Sequence, residues 1–349
     1  MSRIKPPASS LVRPEGVPAD SVVTVFRVPP EQAGQRVDVF LQNELRRTSR
    51  TRAQYIIRQS AFDGDGKRMR PGQRLLAEQR VLLWREPWDE NPVPTEVPVL
   101  YEDDHLLAVD KPSGLPVHPT ARYHKNTLIM VLQRERPGEW LSLGHRLDRE
   151  TSGVMLITKT PECDRILKRD LENRDGIEKG YVAVTWGVPR DPDAQGRSAF
   201  RFEQSLELDP ESPIGVKMRL GKSESALYAA TRFSILETRA REGRSYAKVA
   251  CDLETGRQHQ IRIHLATLGA PIVGDKLYGP DDSLFTRGAD GELTEDDLVV
   301  LELPRHALHA ARLSLPHPIT REPLVIEAPF PADVDAFWQR LSPAHDALG

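Results

Sequence analysis

Hydrophobic positions along the chain follow two different rhythms, and the change between them predicts how the protein is organised. A β-branched run at residues 22–26 (VVTVF) reads as a strand. Val37, Phe40, Leu41 and Leu45 then recur at helical spacing within residues 36–47, and Thr48-Ser49 interrupts the pattern. A second helix follows Ser49, whose hydroxyl suits an N-cap, with Ala53, Ile56 and Ile57 turned inward. The turn-rich segment FDGDGKRMRPGQ leads to a short strand at residues 80–84. Ahead of all this, residues 1–20 are rich in Pro, Ser and small side chains and read as a disordered arm.

From residue 87 to residue 98 the chain carries Pro87, Pro92, Pro94 and Pro98 with no periodicity, which predicts a linker. Beyond it, HLLAVDKP (105–112) and SGVMLITKT (152–160) read as buried strands, and Thr160-Pro161 as the start of a helix. GYVAVTWG (180–187) is a strand bounded by glycines, and SYAKVACDL alternates, with Ala247, Val249, Cys251 and Leu253 on one face. RQHQIRIHLATLG places Ile261, Leu265 and Leu268 on one stripe of an amphipathic helix that Gly269 ends. The acidic stretch 281–302 reads as a surface insertion. The expected class is α+β. A small helical and strand domain (21–86) is followed by the linker (87–98), a sheet-based domain (99–332) and a C-terminal tail (333–349).

Composition narrows the picture. A chain of 349 residues with 39% hydrophobic and 28% charged side chains has the length for two domains and the apolar content for a sizeable core. Cys163 and Cys251 lie far apart, which excludes a disulfide framework and a Cys-rich zinc site. The N-terminus lacks the apolar core of a secretory signal, and no apolar stretch approaches the roughly 18 residues of a membrane span. The expectation is a cytoplasmic protein without a membrane partner.

Net charge changes the picture more. The total of -3 argues weakly against a nucleic-acid partner, but it is unevenly spread. Residues 36–85 hold twelve basic and five acidic side chains, a balance of +7, which leaves −10 for the rest. Arg46, Arg47, Arg50 and Arg52 cluster at the junction of the two predicted helices, where guanidinium groups and helix N-terminal N–H groups can share a phosphate. A solvated charged face is the competing explanation; the uncompensated +7 favours nucleic acid. Through GQRVDVFL, SRTRAQYIIRQ and the hairpin ending in RVLLW, this segment resembles the RNA-binding domain named after ribosomal protein S-four. It keeps the Gly66-Lys67 pair but carries Glu78-Gln79 where that family has Gly-Asp.

Several catalytic motifs fail on inspection. GAPIVGDK (269–276) mimics a phosphate loop, but Asp275 intrudes before the lysine and no Ser or Thr follows. His259 and His264 lack the HExxH arrangement, and His306 and His309 suit a core or strand-end role better than a metal site. No GxSxG is present. What remains is GHRLDRETSGVMLITKT (144–160), where Asp148 stands between Arg146 and Arg149. Flanking arginines favour an ionised carboxylate, as a nucleophile or base requires. The same carboxylate could equally cap the Thr-Ser-Gly turn or pair an arginine, so spacing alone leaves the reaction open.

HRLDRETSG (145–153) resembles the HRLDxxTSG signature of the RluA-type pseudouridine synthases. Four further blocks agree in order: VLYEDDHLLAVDKPSGLPVHP, KGYVAVTWG, LETGRQHQIRIHLATLGAPIVGDKLYG and RHALHAARLSLPHP. The resemblance spans residues 99–330. It implies a pseudouridine-synthase fold, a mixed and largely antiparallel central sheet with flanking helices and loops. It also implies isomerisation of uridine to pseudouridine in structured RNA without metal or organic cofactor, the uracil leaving its ribose and rejoining through carbon. By the same resemblance Asp148 matches the essential aspartate, and Tyr181 the tyrosine that stacks on uracil and is a candidate general base. Arg262 matches the basic residue that ion-pairs with the aspartate. Arg146 matches the arginine that enters the RNA stack to help flip the uridine, a step required because a stacked base hides its glycosidic bond. His145 belongs to the same RNA-facing loop and, with Thr151, shapes it rather than reacts, while Ile261 packs beneath the site. Ribosomal RNA is expected ahead of transfer RNA as the substrate, and a monomer as the working form. The competing class is a non-catalytic RNA-binding or ribosome-assembly factor, which would have no use for the intact constellation. A glycoside hydrolase would need a second carboxylate that no motif nominates.

Overall fold

The computed structural model describes residues 11–19, 21–45, 48–86, 90–120, 123–173, 176–193 and 196–343. It divides into two compact units, one up to Glu90 and one from Asn91 onward.

The first unit contains β1 (Val22–Arg27), α1 (Val37–Glu44), α2 (Arg50–Ser60), β2 (Ala61–Asp63) and β3 (Arg80–Arg85). Its strands form an antiparallel sheet in the order β1-β3-β2. Phe26, Val37, Phe40, Leu41, Ile57 and Leu75 make the core. Ser49 caps α2 by accepting from the Arg52 amide at 3.2 Å, as the sequence predicts. The turn-rich segment does more than turn: it supplies most of β2 and buries Met69. Glu78, which replaces a glycine of the resembled family, sits at φ 63. The arm expected over 1–20 is only partly described, and that part is not free of the fold. Leu11 and Val17 pack beside Phe62, Leu82 and Trp84.

The second unit is built on an eleven-stranded sheet. Its strands run in chain order as β4 (Val99–Glu102), β5 (Leu106–Lys111), β6 (Ser142–Leu143), β7 (Ser152–Thr158), β8 (Glu178–Trp186) and β9 (Ala199–Glu203). The separate hairpin β10 (Leu206–Leu208) and β11 (Met218–Leu220) comes next. Then follow β12 (Ala230–Arg241), β13 (Arg244–Leu253), β14 (Leu308–Pro316), β15 (Pro323–Glu327) and β16 (Ser342–Pro343). The central order is β16-β12-β13-β8-β14-β7-β5-β4, antiparallel throughout except where β14 meets β7. Helices α3 (Leu128–Glu135), α4 (Pro161–Asn173), α5 (Gln260–Thr267), α6 (Ser283–Asp290), α7 (Glu295–Leu301) and α8 (Ala332–Gln339) accompany the sheet. Among the described residues no helix is long and apolar enough to cross a membrane.

Four expectations change. Helix α5 is not amphipathic in place, because Gln260 through Leu265 are all buried and its polar side chains find partners inside. The stretch 281–302 is anchored through buried Leu284 and Leu301. Its last residue, Glu302, accepts from Trp186 Nε1 at 2.7 Å and from the Tyr246 hydroxyl at 2.9 Å. Residues 333–343 are no tail: Val334, Phe337 and Trp338 of α8 are core residues, and β16 pairs with β12. The linker's later part belongs to the second unit, since Val93 and Val97 pack on its core. Each reversal has one cause: distant strands supplied apolar or hydrogen-bonding surface that a local window does not reveal.

Candidate active site

The loop between β6 and β7 carries Asp148, and alternate residues of it face opposite ways. Leu147 is buried in the core, Arg146 is exposed, and the Asp148 side chain retains 23% exposure. His145 Nε2 accepts from the Leu156 amide at 3.2 Å, so that ring atom braces the loop against β7 and is not free for RNA. The loop closes with the Thr151 amide donating to Asp148 O at 3.2 Å.

The Thr-Ser-Gly end of the motif is explained by the segment that precedes and begins β14. Thr151 Oγ1 meets His306 Nε2 at 2.8 Å, and Ser152 Oγ meets His309 Nδ1 at 3.0 Å. Gly153 has φ 108, and a Cβ there would lie 2.2 Å from Ala310 O, so only glycine lets the two backbones approach. The two histidines therefore lie in the core, as expected of them. Among the described residues no cluster suited to a metal ion is found.

Helix α5 brings Arg262 to Asp148 across 114 positions of sequence, Nη1 donating to Oδ2 at 3.0 Å. The other edge of the guanidinium is held by Asp275, with Nε to Oδ2 at 2.7 Å and Nη2 to Oδ1 at 2.8 Å. Asp275 is itself fixed by the amides of Leu277 and Tyr278. This bidentate clamp fixes the plane of the guanidinium and so presents Nη1 as a hydrogen-bond donor to Asp148. His259 Nε2 also faces Asp148 Oδ2, at 3.8 Å. Ile261 is buried on the same helix, as the sequence suggests.

Electrostatics follow from this packing. Burial disfavours charge on Asp148, but His259, Arg262 and His306 outweigh it and hold the carboxyl at about 2. Burial depresses His259 to about 4 and His306 to about 3, so both rings are neutral at neutral pH. Burial also opposes charge on Arg262, and Asp275 with Asp148 more than offsets it. Tyr181 on β8 is 9% exposed. Burial and the Asp148 charge push its phenol well above the usual range. At neutral pH it offers a ring and an O–H donor.

Sequence reading missed several supporting groups. Asp275, set aside as the residue spoiling a phosphate loop, is the clamp on Arg262. Lys111 is fully buried, its ammonium donating to the carbonyls of Pro112, Leu115 and Arg149 at 2.8–3.0 Å, which ties the start of the domain to the Asp148 loop. Glu150 pairs with Lys276 at 2.8 Å on the far side of that loop. The Gly-Asp-x-x-Tyr-Gly block was the available signal for Asp275, but nothing local indicated its partner.

The candidate RNA-contacting arginines belong to the first unit. Arg46 and Arg47 lie outside the described residues. Arg50 donates to the buried carboxylate of Asp38 at 3.1 Å, which also accepts from Arg36 and Gln54. Arg52 is exposed in the first turn of α2, its guanidinium 5.0 Å from the Tyr55 ring centre.

Residues 105–267 match the family described as RNA pseudouridylate synthase. A Xanthomonas campestris pv. campestris protein named ribosomal large subunit pseudouridine synthase D is 34% identical over 337 residues, covering 93% of this chain and 94% of its own. One of the same name from Nitrosomonas europaea is 32% identical, covering 90% and 86%. The solved structure of human RNA Pseudouridylate Synthase Domain Containing 4 shares 28% identity at a TM-score of 0.53, covering 70% of this chain and 94% of its own. An ionised aspartate in an HRLDxxTSG loop, held by a buried arginine of α5, and relatives matched along nearly their whole length lead to one conclusion: the chain belongs to the RluA-type RNA pseudouridylate synthase family and is an enzyme that acts on RNA.

Proposed function

We propose that this enzyme isomerises uridine to pseudouridine in ribosomal RNA of the large subunit, with Asp148 as the catalytic carboxylate. The observation that carries the site assignment is the Asp275–Arg262–Asp148 chain. It keeps Asp148 charged and oriented while leaving its side chain partly open beside exposed Arg146. Tyr181 supplies the face on which the uracil stacks. Arg146, exposed on the same loop, is the residue that enters the RNA stack. The relatives' names favour ribosomal RNA, and the +7 segment of the first unit supports a role for it in gripping structured RNA. On this reading the first unit is the RNA-holding domain, and the protein works as a cytoplasmic monomer without metal or organic cofactor.

The test is to delete the gene, map pseudouridines in ribosomal and transfer RNA, and restore either the parent or Asp148→Ala. The reading expects one or a few large-subunit uridines to lose modification and to regain it with the parent alone. Loss confined to transfer RNA would move the substrate to the alternative. Restoration by Asp148→Ala would return the protein to the non-catalytic assembly class.

A further inference from the structure

Asp148 presents two oxygens, and the structure treats them unequally. Arg262 Nη1 donates to Oδ2 at 3.0 Å, and His259 Nε2 faces the same Oδ2 at 3.8 Å. Residue 259 is held there at some conformational cost: it precedes α5 in the left-handed region, at φ 56 and ψ 18. Its ring packs edge-on against Tyr278, with centres 5.6 Å apart, and Nδ1 lies 2.9 Å from the Tyr278 hydroxyl.

The proton on that ring can be placed by counting donors. The Met218 amide of β11 donates to the Tyr278 oxygen at 2.9 Å, and among the described residues His259 Nδ1 is the acceptor within reach of the phenolic hydrogen. The phenolic hydrogen is then free to be given to Nδ1, and a neutral imidazole accepting at Nδ1 carries its hydrogen on Nε2. The order of donation therefore runs Met218 N–H, Tyr278 O–H, His259 Nε2–H, and ends at Asp148 Oδ2. At 3.8 Å the last link is an oriented dipole and not a hydrogen bond, and catalytic hydrogen bonds of this kind commonly tighten when substrate binds.

We infer that His259 is a positioning residue for Asp148: locked by Tyr278 with its hydrogen on Nε2, it holds Oδ2 together with Arg262 and leaves Oδ1 as the oxygen that meets the uridine. The inference rests on Asp148 being the catalytic carboxylate. A neutral donor suits the task, because it steers the carboxylate without adding a second full charge beside Arg262.

The experiment compares the full-length parent with His259→Leu, His259→Gln, Tyr278→Phe and Asp148→Asn. Total RNA from a strain lacking the gene is the substrate, so the outcome does not depend on which RNA class is modified. Pseudouridine formation is followed over RNA concentration, with thermal unfolding measured for each variant. His259→Leu is expected to lower kcat by about 10- to 100-fold with KM and Tm near the parent's. His259→Gln, whose amide N–H reaches as far as Nε2, is expected to recover most of that loss. Tyr278→Phe, which frees the tautomer, is expected to fall between them. A kcat for His259→Leu within twofold of the parent's would overturn the inference. So would a His259→Gln that folds like the parent and is as slow as Leu, since donation would then be irrelevant. Turnover by Asp148→Asn at the parent's rate would instead overturn the underlying site assignment.

Discussion

The two units handle charge in opposite ways. In the first, cations such as Arg52, Arg58 and Arg80 stand exposed, and one carboxylate, Asp38, is fully buried under Arg36, Arg50 and Gln54. Around Asp148 in the second, ionic groups are drawn inside and tied to one another, Arg262 with Asp275 and Asp148 and Lys276 with Glu150, while the buried Lys111 is held by three carbonyls. Exposed charge acts at range, is screened by salt and tolerates substitution. Buried charge is costly to desolvate and is retained where its partners are complete, in return for fixed geometry. A surface that grips a polyanion needs the first arrangement, and a carboxylate that must be ionised and aimed needs the second.

The strongest way to break this contrast is Asp148→Asn, which keeps shape and removes the charge. It is expected to cost at least about 10³-fold in kcat while leaving RNA affinity nearly unchanged, as filter binding beside a turnover assay would show. A parallel loss of binding would mean that the two units do not divide the work. Next in size is Asp275→Ala. It leaves Arg262 buried with half its partners, and the expected loss is about 3–5 kcal/mol of stability, read by denaturant unfolding, together with lower turnover. Stability like the parent's would show that the guanidinium finds water or another acceptor.

A smaller effect is expected from neutralising the exposed pair Arg52→Gln and Arg58→Gln. Affinity for RNA should weaken, and the slope of log K against log salt should fall by about 0.7–0.9 for each phosphate left without its cation, with kcat unaltered. An unchanged slope would remove these arginines from the RNA surface. The smallest effect concerns pH. Asp148 titrates at about 2 against an ordinary 3.8, so the folded state binds its proton less readily than the unfolded state does. Its contribution to stability is full above 3.8 and is lost as pH falls towards about 2. Thermal unfolding across that window should show the parent losing more stability than Asp148→Asn. Equal losses would mean that the clamp does not act on this carboxyl.

Much of the scaffold was legible because its signals are local. Alternation in SYAKVACDL marked β13, Thr160-Pro161 marked the start of α4, and Ser49 marked the cap of α2. Asp148, Arg146, Tyr181 and Arg262 were legible as motif members, though the motif alone did not say which groups touch. Helix α5 shows where such reading ends. Its stripe of Ile261 and Leu265 suggested one wet face, yet Gln260 through Leu265 are all buried, and Arg262 and His264 are partnered groups inside the fold.

The sequence by itself determined β1, β3, β5, β7, β8 and β13, the caps, the basic first segment and the residue types of the site, since these depend on neighbours a few positions apart. Only the tertiary structure decided that Asp275 clamps Arg262, that His306 and His309 hold Thr151 and Ser152, and that Gly153 must lack a side chain against Ala310. The physical reason is desolvation. Whether a charged or polar group can be buried depends on acceptors and donors contributed by distant strands, and the cost of leaving it unpaired is set only when those strands close around it.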